Sequence, residues 1–573
     1  MPTKKTGKLK TILTTFNAKY IHTSLALRWL YVANKDKFDI SFSEYTIKED
    51  IKEISTEILS QSPDIVGISV YIWNVELSKK LVEQLKKQQS TLIIIIGGPE
   101  VSYEPAYFIE NWDIDYLVSG EGEKVLGELL YALQNNTDVN IEAVSSRHKI
   151  SNLTAKTDLN VLETFDSPYN LEMDKADLKN RILYFESSRG CPYRCSYCLS
   201  SLEKGVRYFS EDYIKNNLKL LINSDVKRIK FLDRTFNLNP THTAMVFYFL
   251  IENYRKNLSC QFEIYADLLS NENIAYLNQR LPKHFFRFEI GIQSTHEPTN
   301  QSVNRKQDFS LLSQNIELLM KGEKIDLHLD LIAGLPYEDF NRFVTSFNHV
   351  FRLKAKEVQL GFLKMLRGTE LRKNAEKYAY VYSEKAPYEV VSNKYISAEE
   401  LNRLREAEHA LEKFWNSGRF TRTMKYLFEN EYHERYFDFF DEMGNYYQTH
   451  KIPHKGYQLE DLFRTIHSFL LSKGINTIDT LRDDYYSNFT SRPRGNWIET
   501  MDKKKQKKLL HHIGNDKEFI EKHKLSKYII EKQSKIDPLH NQNYLLTVFL
   551  SEKKQRIQLI YNYNQDKTPV SES

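Results

Sequence analysis

Two stretches of this chain alternate short apolar runs with helical patterns, and this alternation constrains the fold more than any other feature. Over residues 8–135 the spacing predicts strands at Leu9–Thr15, Phe38–Ser43, Ile65–Val70, Leu92–Ile96 and Tyr116–Val118. Helices are predicted between them at Thr23–Val32, Ile51–Ser60, Val75–Gln88 and Glu123–Leu133. Several strand runs are apolar throughout, as strands covered on both faces must be. Such alternation predicts an α/β fold built on a doubly wound parallel sheet. Ligands on these sheets bind outside the carboxyl ends of the strands. The segments expected there are Asn17–Thr23, Tyr71–Asn74, Gly97-Gly98-Pro99-Glu100 and Gly120-Glu121-Gly122-Glu123. Gly97 and Gly98 suit close approach of a ligand to the backbone and, equally, an ordinary strand-to-helix turn.

The second stretch spans residues 181–375, after a polar, irregular connector at 136–178. Its strand candidates are Ile182–Ser187, Arg228–Leu232, Gln261–Ala266, Arg287–Ile292, Asp326–Ile332 and Glu357–Leu363. Helical patterns fall at Glu211–Ile222, Thr241–Tyr254, Asn271–Arg280, Phe309–Lys321 and Asp339–Leu353. Six β/α units are too few for a closed eight-stranded barrel and predict a partial (β/α)6 barrel with one open side. Chemistry in β/α barrels sits on the loops after the strand ends. From about 395 the strand signal fades and the chain reads as mainly helical, most clearly at Ala398–Trp415 and Leu459–Leu471. A hairpin is predicted from Tyr544–Leu550 and Arg556–Tyr563, followed by ten frayed residues. The domain reading is therefore 1–135, a connector at 136–178, 179–380 and 390–573.

The chain holds four cysteines, and Cys191, Cys195 and Cys198 lie directly after the first strand of the second stretch. Four cysteines in 573 residues make no disulfide framework. Three at C-x3-C-x2-C spacing hold three irons of a [4Fe–4S] cluster and leave the fourth iron without a thiolate. An open position suits catalysis, whereas structural sites are closed. Gly190 helps the loop bend, and Tyr197 is placed to pack beside whatever fills the open position. A structural zinc site would need Cys260 as a fourth ligand, because no histidine lies between His148 and His242. An electron-transfer cluster would normally have four cysteines. Cys260 itself reads as a buried thiol at the head of a strand.

The pattern around these cysteines resembles that of radical S-adenosylmethionine (radical SAM) enzymes. The likeness continues in Phe231-Leu-Asp233-Arg-Thr-Phe236-Asn237, Glu289-Ile-Gly-Ile-Gln293-Ser, Ser302-Val-Asn-Arg305, Asp330-Leu-Ile332-Ala-Gly-Leu-Pro336 and Leu363-Lys-Met-Leu-Arg-Gly-Thr369. The resemblance implies that the methionyl amino and carboxylate groups of SAM chelate the open iron. One electron from the cluster then cleaves the sulfonium to give a 5′-deoxyadenosyl radical. It also implies that Glu289 or Gln293 meets the ribose hydroxyls, Arg305 pairs with the SAM carboxylate, and the Ile332 segment runs past the adenine. Glu263, inward-facing on the third strand, is a further polar candidate. Asp233 is expected either to bond substrate or to cap a loop.

The first stretch resembles the cobalamin-binding domain that precedes many radical SAM enzymes, through Ser69-Val-Tyr71, Gly97-Gly98-Pro99-Glu100 and Gly120-Glu121-Gly-Glu123. That resemblance implies that Ser69, Tyr71, Gly97, Gly98, Pro99, Gly120 and Glu121 line the nucleotide tail of cobalamin. The Asp-x-His-x-x-Gly motif of a lower axial histidine is absent, so His22 is expected to pack or hydrogen-bond. No cysteine precedes Cys191, which argues against a methylthiotransferase with a second cluster. The C-terminal part resembles the helical extension of an uncharacterised bacterial subgroup and brings no activity with it. The implied function is reductive SAM cleavage with cobalamin-dependent methyl transfer to an unactivated carbon. The alternatives are a radical cyclisation or rearrangement without methyl transfer, and a non-catalytic Fe–S/cobalamin carrier. A low-potential donor such as flavodoxin or ferredoxin is the implied partner. The longest apolar run has eight residues, so no membrane span is expected, and the reading is cytoplasmic. A net charge of +4 argues against a nucleic-acid partner, and Lys503–Lys508 reads as a solvated helix face.

Overall fold

A computed structural model describes residues 8–203, 205–539, 543–551 and 555–563. The basic start at 1–7, hairpin residues 552–554 and the ten C-terminal residues lie outside the described residues. The chain divides into two compact units, Met1–Leu401 and Asn402–Ser573.

Unit one opens with strands β1 (Lys10–Asn17), β2 (Asp39–Thr46), β3 (Ile65–Ser69), β4 (Ile93–Gly97), β5 (Tyr116–Val118) and β6 (Val144–Ser145). They form one sheet in the order β2-β1-β3-β4-β5-β6. The ladders through β5 are parallel, and β6 adds an antiparallel edge. The sheet reverses its order at β1/β3, so it is doubly wound as expected. Val66 and Ile68 of β3 are buried with Ile94 and Ile96 of β4 in a core completed by Leu81, Leu85 and Phe108. Helices Ile51–Ser60 and Val75–Gln88 keep their predicted limits. Asp50 fixes the first by accepting from the Lys52 and Glu53 amides. A seven-residue helix, Pro105–Asn111, was absent from the sequence reading; it is too short for periodicity to reveal.

The second sheet is a row of six parallel strands in chain order: β7 (Ile182–Phe185), β8 (Arg228–Phe231), β9 (Ser259–Ile264), β10 (Phe286–Gln293), β11 (Asp326–Ala333) and β12 (Glu357–Phe362). Among the described residues no ladder joins β7 to β12, so the barrel is open. Strand alternation decides its two faces. On β10, Phe286, Phe288, Ile290 and Ile292 are buried, whereas Arg287, Glu289, Gly291 and Gln293 are only half-buried on the other face. Phe231, Phe247, Phe262, Phe286 and Phe288 pack ring to ring on the helix side. The barrel's other face is accordingly polar.

Unit two is mainly helical, with helices including Thr421–Asn430, Tyr436–Thr449 and Leu459–Ser472. A strand not expected from the sequence, β13 (Ser534–Pro538), pairs with β14 (Asn543–Leu550), which forms the expected hairpin with β15 (Gln555–Asn562). In β13, Lys535 and Asp537 are buried but partnered, by Asn496 and by Tyr486 and Thr500. Such polar residues hide a strand from pattern reading. Lys503, Lys504, Lys505, Lys507 and Lys508 all point to solvent from a helix whose Leu509, Leu510 and Ile513 are buried.

Candidate active site

The cysteines follow β7 and sit on a loop closed by a ribbon, in which Ser188–Gly190 pairs antiparallel with Val206–Tyr208. Gly190 adopts φ +97°, and a Cβ there would stand 2.2 Å from the Gly205 carbonyl oxygen. Only glycine closes this loop. All three cysteines are free, Cys191 and Cys195 buried and Cys198 half-buried. The Ser196 amide donates to the Val303 carbonyl at 2.9 Å, and the Leu371 amide donates to Ser196 at 2.9 Å. These bonds staple the loop between the segments that follow β10 and β12. Burial pushes the Cys191 thiol pKa up, although Thr235 lies 3.8 Å from its sulfur. Metal coordination removes such a proton outright.

Asp233, just past β8, supports the loop from below. Its carboxylate accepts from the Ser187 amide at 3.0 Å and from the Ser187 and Ser188 hydroxyls at 2.7 and 2.5 Å. Burial pushes its pKa up to about 6 against these bonds. Asp233 therefore caps the loop. Cys260 lies at the start of β9, whereas the cysteine loop follows the far end of parallel β7. It is fully buried and too remote for a fourth ligand, which removes the zinc alternative.

Arg305 is buried beside the cysteines. It donates to the hydroxyls of Tyr265 at 2.9 Å and Tyr197 at 3.3 Å, to the Gly291 carbonyl and to Gln307 at 3.0 Å. Burial opposes its charge, but Tyr197, Tyr265 and Cys195 hold its pKa above the ordinary value. Tyr193 stacks on Tyr265 at 4.4 Å and closes this pocket. Neither Tyr193 nor Tyr265 was singled out in the sequence; the position of Tyr265 just past β9 was the available signal. Gln293, also at a strand end, adopts φ +69° and keeps a buried side-chain oxygen without a protein partner. Glu289 lies one layer deeper, in an ion pair with Lys230 at 2.9 Å and a hydrogen bond from Gln261. The two ribose candidates thus occupy different layers. Glu263 sits level with Glu289 across the β9–β10 ladder, and burial raises its pKa. Ile332 lies on β11 opposite Gly361.

The carboxyl edge of the first sheet faces the same assembly through buried contacts within unit one. Tyr71 and Trp73 stack at 4.4 Å, and Trp73 is 50% exposed although its indole N–H holds the Phe16 carbonyl at 3.0 Å. Ser69, ahead of them, is buried. Gly98 (φ +107°) and Gly120 (φ +87°) would place a Cβ 2.6 Å from the Val70 oxygen and 2.5 Å from the Ala155 oxygen. Packing alone thus requires both glycines. Gly97 is half-buried and Pro99 exposed on the same edge, while the buried Ser119 hydroxyl has no protein partner. Exposed Trp73 stacked on half-buried Tyr71, with an orphaned hydroxyl on the same sheet edge, fits a large flat ligand with polar appendages. Glu121 is committed elsewhere: Arg207 and Arg189 (3.2 Å) and the Thr157 amide (2.7 Å) hold it at the base of the cysteine ribbon. His22 Nδ1 lies 2.8 Å from the Tyr184 hydroxyl, so β7 fixes it. Arg367, after β12, stacks on Tyr107 at 4.0 Å and pairs with Glu104 and with Glu100 at 3.4 Å, tying the Gly97–Glu100 turn to the barrel.

Comparison with known proteins agrees with this geometry. Residues 12–130 match the B12 binding domain, 185–350 the radical SAM superfamily, and 376–559 a protein family of unknown function (DUF4080). The cobalamin-dependent radical SAM methyltransferase TokK of Streptomyces tokunonensis is 26% identical over 49% of this chain and 44% of its own. The anaerobic magnesium-protoporphyrin IX monomethyl ester cyclase of Synechocystis sp. is 26% identical over 42% of this chain and 50% of its own. The chain thus spans about half the length of these relatives or less. The structure of the cobalamin-dependent S-adenosylmethionine radical enzyme OxsB with aqua-cobalamin superposes at a TM-score of 0.57, with 15% identity, over 84% of this chain and 81% of its own. No described helix is long and apolar enough to cross a membrane. The chain is a radical SAM protein with an N-terminal B12-binding domain and a C-terminal region from a family of unknown function.

Proposed function

We propose that this chain cleaves SAM reductively at a [4Fe–4S] cluster held by Cys191, Cys195 and Cys198, and methylates an unactivated carbon of its substrate with cobalamin bound at Ser69, Tyr71, Gly97, Gly98, Pro99 and Gly120. The carrying observation is the three-thiol loop beside buried Arg305, at the mouth of an open six-stranded barrel. When bound, the cofactors supply one electron to the sulfonium and a methyl group to the substrate. The protein's residues do the rest. Three thiolates leave one iron free to bind SAM. Arg305 offers its guanidinium to the SAM carboxylate by charge-assisted bonds, with Tyr197 and Tyr265 fixing its orientation. Gln293 supplies an unpartnered oxygen for a ribose hydroxyl, the role for which Glu289 is too deeply paired. Ile332 and Glu263 line the polar face of the barrel toward the adenosyl and substrate. Glu121 serves the loop as an ion-pair partner for Arg189 and Arg207.

The single-electron step requires a reductant, for which flavodoxin or ferredoxin has the right potential class. Free thiols at an oxygen-labile site support a cytoplasmic location. The test is product analysis with SAM labelled in the methyl group: label in the product supports methyl transfer. A cyclase among the relatives favours one second reading, a radical cyclisation without methyl transfer. It predicts 5′-deoxyadenosine with no labelled product. A carrier without catalysis predicts no SAM turnover.

A further inference from the structure

The C-terminal unit carries a cluster of metal-ligating side chains that the chemistry above does not use. Glu406 and His409 stand three residues apart on the helix Ala398–Leu411, and so share one face. His454 reaches them from the loop after the helix Tyr436–Thr449. One ligand atom from each residue lies within 4.8 Å of the other two. His454 Nε2 is 3.1 Å from Glu406 Oε2, and the two imidazole rings are 4.3 Å apart between centres. The Glu406 side chain is 14% exposed and those of His409 and His454 36% and 31%, so the cluster is partly buried and still reached by solvent.

Neighbouring groups hold both rings in place. The helix passes directly into a π-helical turn, Glu412–Asn416, a feature that often accompanies functional sites. This turn sets Lys413 Nζ 3.3 Å from His454 Nδ1 and 3.3 Å from the His409 carbonyl oxygen. Tyr447 stacks on the His454 ring at 5.4 Å and 5° between planes. His409 Nδ1 lies 3.2 Å from Glu408 Oε2. His409 is thus engaged at Nδ1 by a carboxylate, the arrangement that orients an imidazole ligating through Nε2, whereas the Lys413 ammonium donates toward His454 Nδ1, a contact that ligation through Nε2 of a neutral ring would displace. In tetrahedral zinc sites, ligand bonds of ~2.0–2.2 Å put neighbouring donor atoms ~3.3–3.5 Å apart. The Glu406–His454 pair, at 3.1 Å, stands slightly closer than this and would have to open by a few tenths of an ångström to take an ion.

We propose that Glu406, His409 and His454 bind one divalent transition-metal ion of the zinc class, with water completing its coordination. Two imidazoles and a carboxylate suit such an ion, and three protein ligands leave a position for an exogenous ligand. The full, untagged chain tests this in a Cys191→Ser, Cys195→Ser, Cys198→Ser background, which removes the competing thiolates. Zinc alone is titrated by calorimetry after chelator treatment. One equivalent should bind and raise the melting temperature, and His454→Gln and Glu406→Gln should each weaken binding at least tenfold. Both variants preserve side-chain volume, and circular dichroism of the zinc-free proteins checks that they fold. No stoichiometric zinc, or undiminished binding in both folded variants, overturns the site and leaves a hydrogen-bonded packing cluster.

Discussion

Replacing Gly190 with alanine tests whether the cysteine loop is held by its ribbon. The perturbation is one methyl group. At φ +97° a side chain is strained, at a cost of about 1–2 kcal/mol. The new Cβ would also stand 2.2 Å from the Gly205 carbonyl oxygen. Carbon–oxygen contacts settle at ~3.3–3.6 Å, so the backbones must separate by roughly 1 Å. That displacement breaks at least one of the ribbon's hydrogen bonds, worth about 1 kcal/mol each. The sum is roughly 2–4 kcal/mol against the closed loop. At ~1.4 kcal/mol per decade this is about one and a half to three decades in the closing equilibrium. Gly190→Ala protein should therefore take up far less iron and sulfide on anaerobic reconstitution than wild type. The assay is iron and sulfide per chain, with the visible absorption of the cluster, against Cys260→Ala as a matched control. Full cluster occupancy in Gly190→Ala, with unchanged thermal stability, would refute the argument.

Other consequences follow from the same geometry. Arg305→Gln should weaken SAM binding by roughly 10–150-fold, the loss of about 1.5–3 kcal/mol of charge-assisted bonding, as measured by equilibrium dialysis. Asp233 has a folded pKa of about 6, above the 3.8 of the unfolded chain. Its contribution to stability is full below about pH 4 and falls by about 3 kcal/mol as pH rises through 6. In denaturant titrations of the apo-protein, Asp233→Asn should lack this decline; parallel pH profiles of both proteins would contradict it. Arg367→Met leaves Glu100 buried without its cation and should cost about 3–5 kcal/mol, seen as early proteolysis between the first sheet and the barrel. Cys260→Ala should leave iron content unchanged, because that thiol is fully buried at the opposite end of the barrel.

The elements most legible in the sequence were those with strong local signals. Glu211–Ile222, Asn271–Arg280 and Phe309–Lys321 match their expected limits, and each begins at a side-chain cap, Ser210, Ser270 or Asp308. The parallel strands announced themselves as apolar runs. The two-residue edge strand Val144–Ser145 and the strand Ser534–Pro538 did not, the first too short and the second too polar. Within the candidate site, the cysteine spacing singled out its loop because that spacing is a local feature of the sequence. The commitments of Glu121 to Arg207, of Glu289 to Lys230 and of His22 to Tyr184 were not legible. Each joins residues 59 or more positions apart, and only the tertiary fold selects such partners. Gly98 and Gly120 show the converse. A motif that reads as ligand approach is equally demanded by the Val70 and Ala155 carbonyls.

The central claim is that three thiolates leave one iron open to SAM. The most direct measurement is the yield of 5′-deoxyadenosine from SAM by the anaerobically reconstituted, chemically reduced full chain. The account predicts continuing formation by wild type and none by Cys195→Ala. An intact four-iron cluster that leaves SAM uncleaved, or equal yields from the two proteins, would contradict it.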